Sequence, residues 1–399
     1  MRRKCVLIGA LLLLCGGQAG FGRAPAAVAW LRLGPSEKPG GDNVMALWQD
    51  PRDPQRLICG ARPDGLLLSL NGGATWTRTS RNIPTTINSG SNTESIGADP
   101  ANPHHLLAGI EHLGCFRSED GGTTWTEVNR GIRSGNARNG VSLAVSPADA
   151  KIVLYGSDGG IFRSTDGGTT WRDVREGLPQ GKSAAQPKDI SCTVSKIIFD
   201  PQQPRRVYAA LYGVGDQDTA GCYVSDDAGV TWHAANVGIA VGKKPIPGLP
   251  FPLQMEMSEN VALCPKHPET LYLCTVAGVY RSDDRAGHWR LTSYAEGATC
   301  LAVAADDARH VIIGSRTRVL SSTDGGTTWT DLTGNLPTQP LAGAKDVDLL
   351  ITLPGGGQMH AAGTDRRFTP LVNCLRFDTR DPGVIWLAHS FGLYRTVVP

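Results

Sequence analysis

The sequence predicts an all-β fold, a seven-bladed β-propeller of four-stranded blades closed by an N-terminal strand in the last blade. Three observations predict it. The first is composition: 399 residues include 49 Gly and 26 Pro but only 19% charged residues, which suits many short strands and turns rather than long helices. The second is a repeated segment. Ser118-Glu-Asp120-Gly-Gly122-Thr-Thr124-Trp125 recurs almost unchanged at Ser164 to Trp171 and at Ser322 to Trp329, and more loosely at Ser69 to Trp76, with Asn71 for the aspartate, and at Ser225 to Trp232. A degraded copy, Ser282 to Trp289, has lost the Gly and Thr positions. The third is the spacing of these tryptophans, 49, 46, 61, 57 and 40 residues apart, the length of one four-stranded blade with variable loops.

The chain opens on a leader. Arg2, Arg3 and Lys4 precede the apolar run Cys5 to Cys15, and Gly17-Gln18-Ala19 offers small residues where a signal peptidase reads. Residues 1–19 are therefore expected to be a signal peptide, with Ala27-Val28-Ala29 as a later cleavage point ending at 29. Residues 28–399 then form one propeller, exported to the periplasm or secreted. A lipid anchor at Cys15 is the alternative, although the bulky Leu14 ahead of it fits the attachment pattern poorly. The formal charge of +2 falls to −1 once the three basic leader residues are removed, so no global field draws the chain to nucleic acid. No apolar run of about 18 residues follows the leader, which argues against a membrane span, and the chain is expected to act as a monomer.

Each repeated segment has the chemistry of a hairpin turn. The Asp or Asn side chain accepts from backbone N–H groups a few residues on, the glycines supply positive φ, and Thr-Trp starts the next strand. Upstream, Ile96 to Gly109 reads as strand, Pro/Asn turn and strand, ahead of a third strand at Cys115-Phe-Arg-Ser118; the same outline recurs at Val141, Val194, Val261 and Leu301. From Leu375 to Arg395 the chain spells three strands of a further blade, then reaches Pro399 without a turn segment. Its outer strand is expected from Ala29-Trp30-Leu-Arg-Leu-Gly-Pro35, which matches Thr328-Trp329-Thr-Asp-Leu-Thr-Gly-Asn-Leu-Pro337 and would remove the open edges. Six turn segments plus one shared blade make seven.

Eight cysteines follow the leader: Cys59, Cys115, Cys192, Cys222, Cys264, Cys274, Cys300 and Cys374. An even number in an exported chain permits disulfides, with Cys264–Cys274 and Cys192–Cys222 as the candidate bridges, while buried small hydrophobes are the other reading. No CxxC pair or paired histidines accompany them, so neither a zinc site nor any other cofactor is expected.

The Ser-x-Asp-x-Gly-x-Thr-Trp segment resembles the Asp-box, or BNR, repeat, and the resemblance covers essentially all of the mature chain. Similar repeats occur in sialidases, xyloglucanase-type glycoside hydrolases, sortilin-type receptors and photosystem II assembly propellers. In those families the boxes lie opposite the functional face, so the resemblance implies structural roles for Asp120, Asp166, Asp227 and Asp324. Sialidases introduce an arginine triad with a Phe-Arg-Ile-Pro-like segment, whereas Phe162-Arg163 and Tyr280-Arg281 merely lead into boxes. Sortilin-type propellers need ten blades and a cysteine-rich module, which this repeat count does not supply. The xyloglucanase type is closest in texture, because Tyr155-Gly-Ser-Asp158-Gly-Gly160-Ile-Phe162-Arg163 is similar to its Tyr-x-x-x-Asp-x-Gly-Gly-x-Tyr-Arg segment with one residue fewer. There such an aspartate is half of a catalytic pair whose partner sits on a second propeller, and the present sequence spells one. Asp158-Gly159 also reads as a plain tight turn, like Asp64-Gly65. The assembly propellers are similar in using one face to hold a partner protein.

Any site is expected among the loops opposite the boxes. The long ones are Asn82 to Thr93, Gly131 to Gly140, Pro179 to Cys192, Gly238 to Asn260 and the 37-residue connection Pro337 to Asn373. Glycoside hydrolysis needs two carboxyls across a sugar, ~5 Å apart for retention or ~6.5–9.5 Å for inversion. Glu111 with Asp158, from adjacent blades, is the better candidate catalytic pair, while Glu94 and Glu259 are placed at the channel mouth. A binding role uses the same face through Arg133, Arg138, Arg316, Arg318, Arg366 and Arg367, which could grip carboxylates, sulfated glycans or an acidic peptide. Sugar-stacking aromatics are thin: outside the boxes only Trp30, Trp48 and Trp386 occur, all at strand positions, and His389 counts among the rim bases. The balance favours an exported module that binds a polysaccharide or protein ligand through its loop face, with a glycosidase as the alternative.

Overall fold

The computed structural model describes residues 21–22, 28–35, 43–62, 65–81, 83, 93–179, 192–213, 220–239, 261–275, 277–339, 346–352, 358–364 and 370–398. Seven antiparallel sheets of four strands lie in a ring. Blade 1 comprises Asn43–Gln49, Leu57–Arg62, Gly65–Ser69 and Thr77–Arg78, and blade 2 Thr93–Ala98, Leu106–Ile110, Gly114–Ser118 and Thr126–Glu127. Blade 3 is Gly140–Val145, Val153–Ser157, Gly160–Ser164 and Arg172–Asp173, and blade 4 Cys192–Phe199, Val207–Gly213, Gly221–Ser225 and His233–Ala234. Blade 5 is Val261–Leu263, Leu271–Thr275, Gly278–Ser282 and Arg290–Leu291, and blade 6 Cys300–Val303, Val311–Ser315, Arg318–Ser322 and Trp329–Asp331. Blade 7 takes Val372–Phe377, Val384–His389 and Gly392–Val397 from the C-terminal end, and Leu31–Gly34 from the N-terminal end. Arg32 pairs antiparallel with Tyr394, which is the expected closure.

Strand periodicity builds the core between blades rather than within them. Side chains alternate faces along a strand, so Leu106 joins the cluster with Ile58 and Leu66 of blade 1 while Leu107 joins Val153 and Phe162 of blade 3. One such apolar cluster fills each of the seven seams. The tryptophans staple these seams. Trp171 Nε1 donates to Val128 O at 2.8 Å, Trp289 Nε1 to Ala235 O at 2.9 Å and Trp76 Nε1 to Leu33 O at 2.9 Å, each reaching back into the preceding blade. Trp30 repeats the bond across the closing seam, donating to Leu332 O at 2.8 Å, and Asn335 accepts its N–H at 2.6 Å.

The box turns form as the residue chemistry requires. In blade 3, Asp166 Oδ1 accepts the N–H groups of Thr169 and Thr170 at 3.0 and 2.8 Å, and its Oδ2 takes the Thr170 hydroxyl at 2.6 Å. Even the degraded box of blade 5 keeps the turn, with His288 N donating to Asp284 Oδ1 at 2.8 Å, although Arg285 and Ala286 must adopt φ of 58° and 66° at positions that glycine fills in the other boxes, Ala228 of blade 4 excepted. The long 337–373 connection contains a hairpin of Asp346–Thr352 with Gln358–Thr364, and Phe21–Gly22 runs parallel to Trp329–Thr330. Among the described residues no helix is long and apolar enough to cross a membrane.

Neither candidate disulfide forms, since Cys222 and Cys264 are thiols. Register explains the second: Leu263 faces Leu271, so Cys264 meets Thr270 rather than Cys274, and its Sγ points across the seam to Ala305 O at 3.4 Å. Cys192 and Cys222 lie on the inner and third strands of blade 4 with the second strand between them. That separation of two strand spacings, about 10 Å, exceeds the ~7 Å reach of a disulfide. Burial pushes the Cys222 thiol up to about 12.

Candidate functional site

Antiparallel order places two sets of turns at each end of the ring. The boxes, between third and outer strands, share one end with the turns between inner and second strands. At the other end lie the turns between second and third strands and the long connections from one blade to the next.

At that loop end, the seam of blades 2 and 3 gathers Glu111, His112, Arg133, Arg138, Asn139 and Asp158. The turn after Leu106–Ile110 carries Glu111 and His112; the turn after Val153–Ser157 carries Asp158 and Gly159. Between them the connection from blade 2 ends in a single 3-10 turn, Gly135–Arg138, which packs so closely on the second turn that a Cβ on Gly159 would sit 2.7 Å from Ala137 N. Asn139 ties the two turns together. Its Oδ1 accepts the His112 N–H at 3.0 Å, its Nδ2 donates to Asp158 Oδ2 at 2.9 Å, and its carbonyl accepts the Asp158 N–H at 3.4 Å. His112 takes φ of 64°, a left-handed conformation that a non-glycine residue adopts at a cost and that gathers at functional positions. Its ring stands 53% exposed, with Nε2 3.7 Å from Glu111 Oε1.

Asp158 is the most perturbed carboxyl of the group. Burial drives its pKa above the ordinary carboxylate value, and the negative charge of Glu111 adds to the rise; hydrogen bonding by Asn139 and Thr193 and the charge of His112 oppose it. Its Oδ1 is buried without a hydrogen bond of normal geometry. The structure thus brings Glu111 and Asp158 into electrostatic contact across one seam.

The arginines are placed differently. Arg133 is held inward, with Nη2 3.0 Å from both Gly159 O and Asp173 Oδ2 and its guanidinium over the Phe162 ring at 5.6 Å. Arg138 lies 3.8 Å from Glu127. On blade 6, Arg318 is paired with Asp331 at 3.0 Å, whereas Arg316 is exposed at the turn before it, with φ of 51°. Glu94 lies in the inner strand of blade 2, and Glu259, Arg366 and Arg367 fall outside the described residues. His389 is not on the rim but fully buried in blade 7, where burial pushes its pKa down to about 3. Its Nδ1 accepts the Phe391 N–H at 3.1 Å, and its ring packs edge-on against Phe391 and Tyr394. Asn139 is the functional-site residue that sequence reasoning missed; only its place at the end of a long connection hinted at it.

The chain is a seven-bladed β-propeller that carries a BNR/Asp-box repeat. The BNR/Asp-box repeat model matches residues 223–234, the third and outer strands of blade 4. By sequence, no curated protein matches. Among solved structures, the GH74 xyloglucanase from Xanthomonas campestris is 18% identical with a TM-score of 0.60 over 92% of this chain and 53% of that one, so the chain spans about half the length of that enzyme. YCF48 bound to D1 peptide is 13% identical with a TM-score of 0.58, over 94% of this chain and 96% of the other. The extracellular domain of a hybrid two-component system from B. thetaiotaomicron is 10% identical, with a TM-score of 0.58 over 92% of this chain and 40% of that one. Likeness at this identity establishes the fold they share.

Proposed function

We propose that the protein is an exported binding module that holds a polysaccharide or a partner polypeptide on its loop face at the seam of blades 2 and 3. One observation carries this reading: Asn139 fixes His112 and Asp158 at once, so polar groups from two blades are presented as a single rigid set. Ordering these groups in advance lowers the entropic cost of gripping a ligand. Glu111 and His112 would accept from or donate to sugar hydroxyls or peptide amides. Arg316 and the proposed contacts Arg366 and Arg367 would favour anionic ligands, whereas Arg133, Arg138 and Arg318 spend their charge on Asp173, Glu127 and Asp331 and would act by positioning. Glu94 and Glu259 are proposed rim groups. The solved structures of similar fold, one with a peptide bound and one an extracellular domain, support a surface-binding role and export.

The raised pKa of Asp158 beside Glu111 favours a second reading, glycoside hydrolysis. Asp158 would protonate the glycosidic oxygen while the Glu111 carboxylate attacks the anomeric carbon or activates water. One set of variants separates the two. In the binding reading, Glu111→Gln and Asp158→Asn weaken retention on a glycan or peptide array and no reducing sugar is released from xyloglucan by the wild type. In the hydrolytic reading the wild type releases oligosaccharides, and either substitution removes ~10²-fold or more of the rate while binding persists.

A further inference from the structure

At the opposite end of the molecule, blades clasp one another through arginine. Arg56 of blade 1 donates to Gly121 O of blade 2, Arg163 of blade 3 to Ala228 O at 2.9 Å, Arg206 of blade 4 to Arg285 O at 3.0 Å and Arg281 of blade 5 to Gly325 O at 3.4 Å. In every case the acceptor is the carbonyl of the residue just after the box aspartate. Two positions supply the guanidinium: the start of the second strand, as with Arg56 and Arg206, or the third strand, as with Arg163 and Arg281.

Among the described residues this clasp is lacking at the seam of blades 7 and 1, where Gln55 lies against Gly72 and Arg395 over the Trp386 ring, and at the seam of blades 2 and 3. The two corresponding residues are His105 and Arg117, and Glu119 draws both aside, with His105 Nε2 at 3.1 Å and Arg117 Nε at 2.8 Å. Arg117 spends a further N–H on Thr169 Oγ1 at 2.7 Å. Gly167, the residue after Asp166, therefore receives no guanidinium. A Cβ built on Gly121 or Gly325 would collide with Arg56 or Arg281, whereas one on Gly167 meets nothing nearer than Ala150 O at 3.9 Å. In the space left over lies a pocket of about 450 Å³, floored by Leu107, Val145 and Val153. Asp99, Glu119 and Asp166 line it against only two permanent cations, Arg117 and Lys151, so a further positive charge is electrostatically admissible.

We propose that this pocket takes an arginine side chain in trans, from a partner polypeptide. The guanidinium would donate to Gly167 O and to the Glu119 carboxylate, as Arg206 and Arg281 serve both a box carbonyl and an acidic neighbour, Asp226 and Asp283, within the chain. Its aliphatic stem would cover the leucine and valine floor. The proposal concerns the box end and does not depend on the function assigned to the loop end.

The test uses the full chain and two probes of equal shape, N-acetyl-arginine methylamide and its uncharged citrulline counterpart, followed by NMR of leucine and valine methyls. The expected result is saturable arginine binding that shifts methyls of Leu107, Val145 or Val153, with citrulline at least ~10-fold weaker. His105→Arg places a guanidinium in the position of Arg56 and is expected to raise the melting temperature and weaken the arginine probe by ~10-fold or more. Glu119→Gln, which frees Arg117 to reach Gly167 O, is expected to weaken it likewise should the first variant fold poorly. Equal binding of both probes, no saturable binding, or undiminished binding to both folded variants overturns the proposal.

Discussion

Asp158 and Asp166 stand at opposite ends of the third strand of blade 3, and the fold treats the same side chain in opposite ways. Around Asp166 the turn saturates the carboxylate with two backbone N–H groups and two hydroxyls, and its pKa falls despite the opposing effect of burial. Around Asp158 burial dominates, Oδ1 lacks a hydrogen bond of normal geometry, the charge of Glu111 adds to the effect, and its pKa rises. The lesson is that hydrogen-bond saturation, not residue type, decides the direction in which an aspartate's pKa moves. The box turns satisfy their aspartates internally, whereas the turn that carries Asp158 leaves capacity unmet.

The largest effect is expected from opening the ring on which both ends depend. Deleting residues 28–35 from the mature protein removes the buried Trp30, its bond to Leu332 and the outer strand of blade 7. The loss should exceed the ~3–5 kcal/mol of truncating one buried aromatic, and a calorimetric melt identical to the parent would show that closure lies elsewhere. Acid should then distinguish the ends. His389 is buried neutral, with a pKa lowered from 6.5 to about 3, so the unfolded chain binds its proton first. Stability is therefore lost as pH falls from 6.5 towards 3, at up to ~1.4 kcal/mol per pH unit, and His389→Leu should flatten that slope in chemical denaturation. The box carboxylates shift in the same direction but in a lower pH window. Asp227 and Asp324, where hydroxyl and backbone donors outweigh burial, are held down from 3.8 to about 2, so their contribution is intact above 3.8 and disappears only as pH falls towards 2. A smaller effect is expected from Asp166→Asn: Asn71 in blade 1 already accepts the Thr75 N–H at 2.9 Å and donates to its hydroxyl at 2.8 Å, so the amide should keep most of the melting temperature.

These two ends were unequally legible in the sequence. Boxes announce themselves because the bonds of their Ser and Asp side chains span four residues or fewer, and Trp30 could be aligned with Trp329 because the outer-strand pattern repeats. Seven blades follow from local periodicity alone. The loop end has no such periodicity: the bond from Asn139 to His112 spans 27 residues, and the pairing of Arg133 with Asp173 depends on how one connection crosses the next blade. His389 reads as a rim base from its place before a turn, yet its ring is buried edge-on against Phe391 and Tyr394. Cys264 and Cys274 look like a cross-strand pair until register sets Thr270 opposite Cys264.

The division of labour between the two ends is tested most directly by melting Asp166→Ala and Asp158→Ala side by side at pH 7. Removing Asp166 takes the acceptor from two N–H groups and two hydroxyls and should cost about 1–2 kcal/mol, comparable to losing a helix-capping side chain. Removing Asp158 forfeits the Asn139 bond but relieves a buried, poorly satisfied charge, so its melting temperature should stay within a degree or so of the parent, or rise. Equal losses in both variants, or a larger loss at Asp158, would contradict the account.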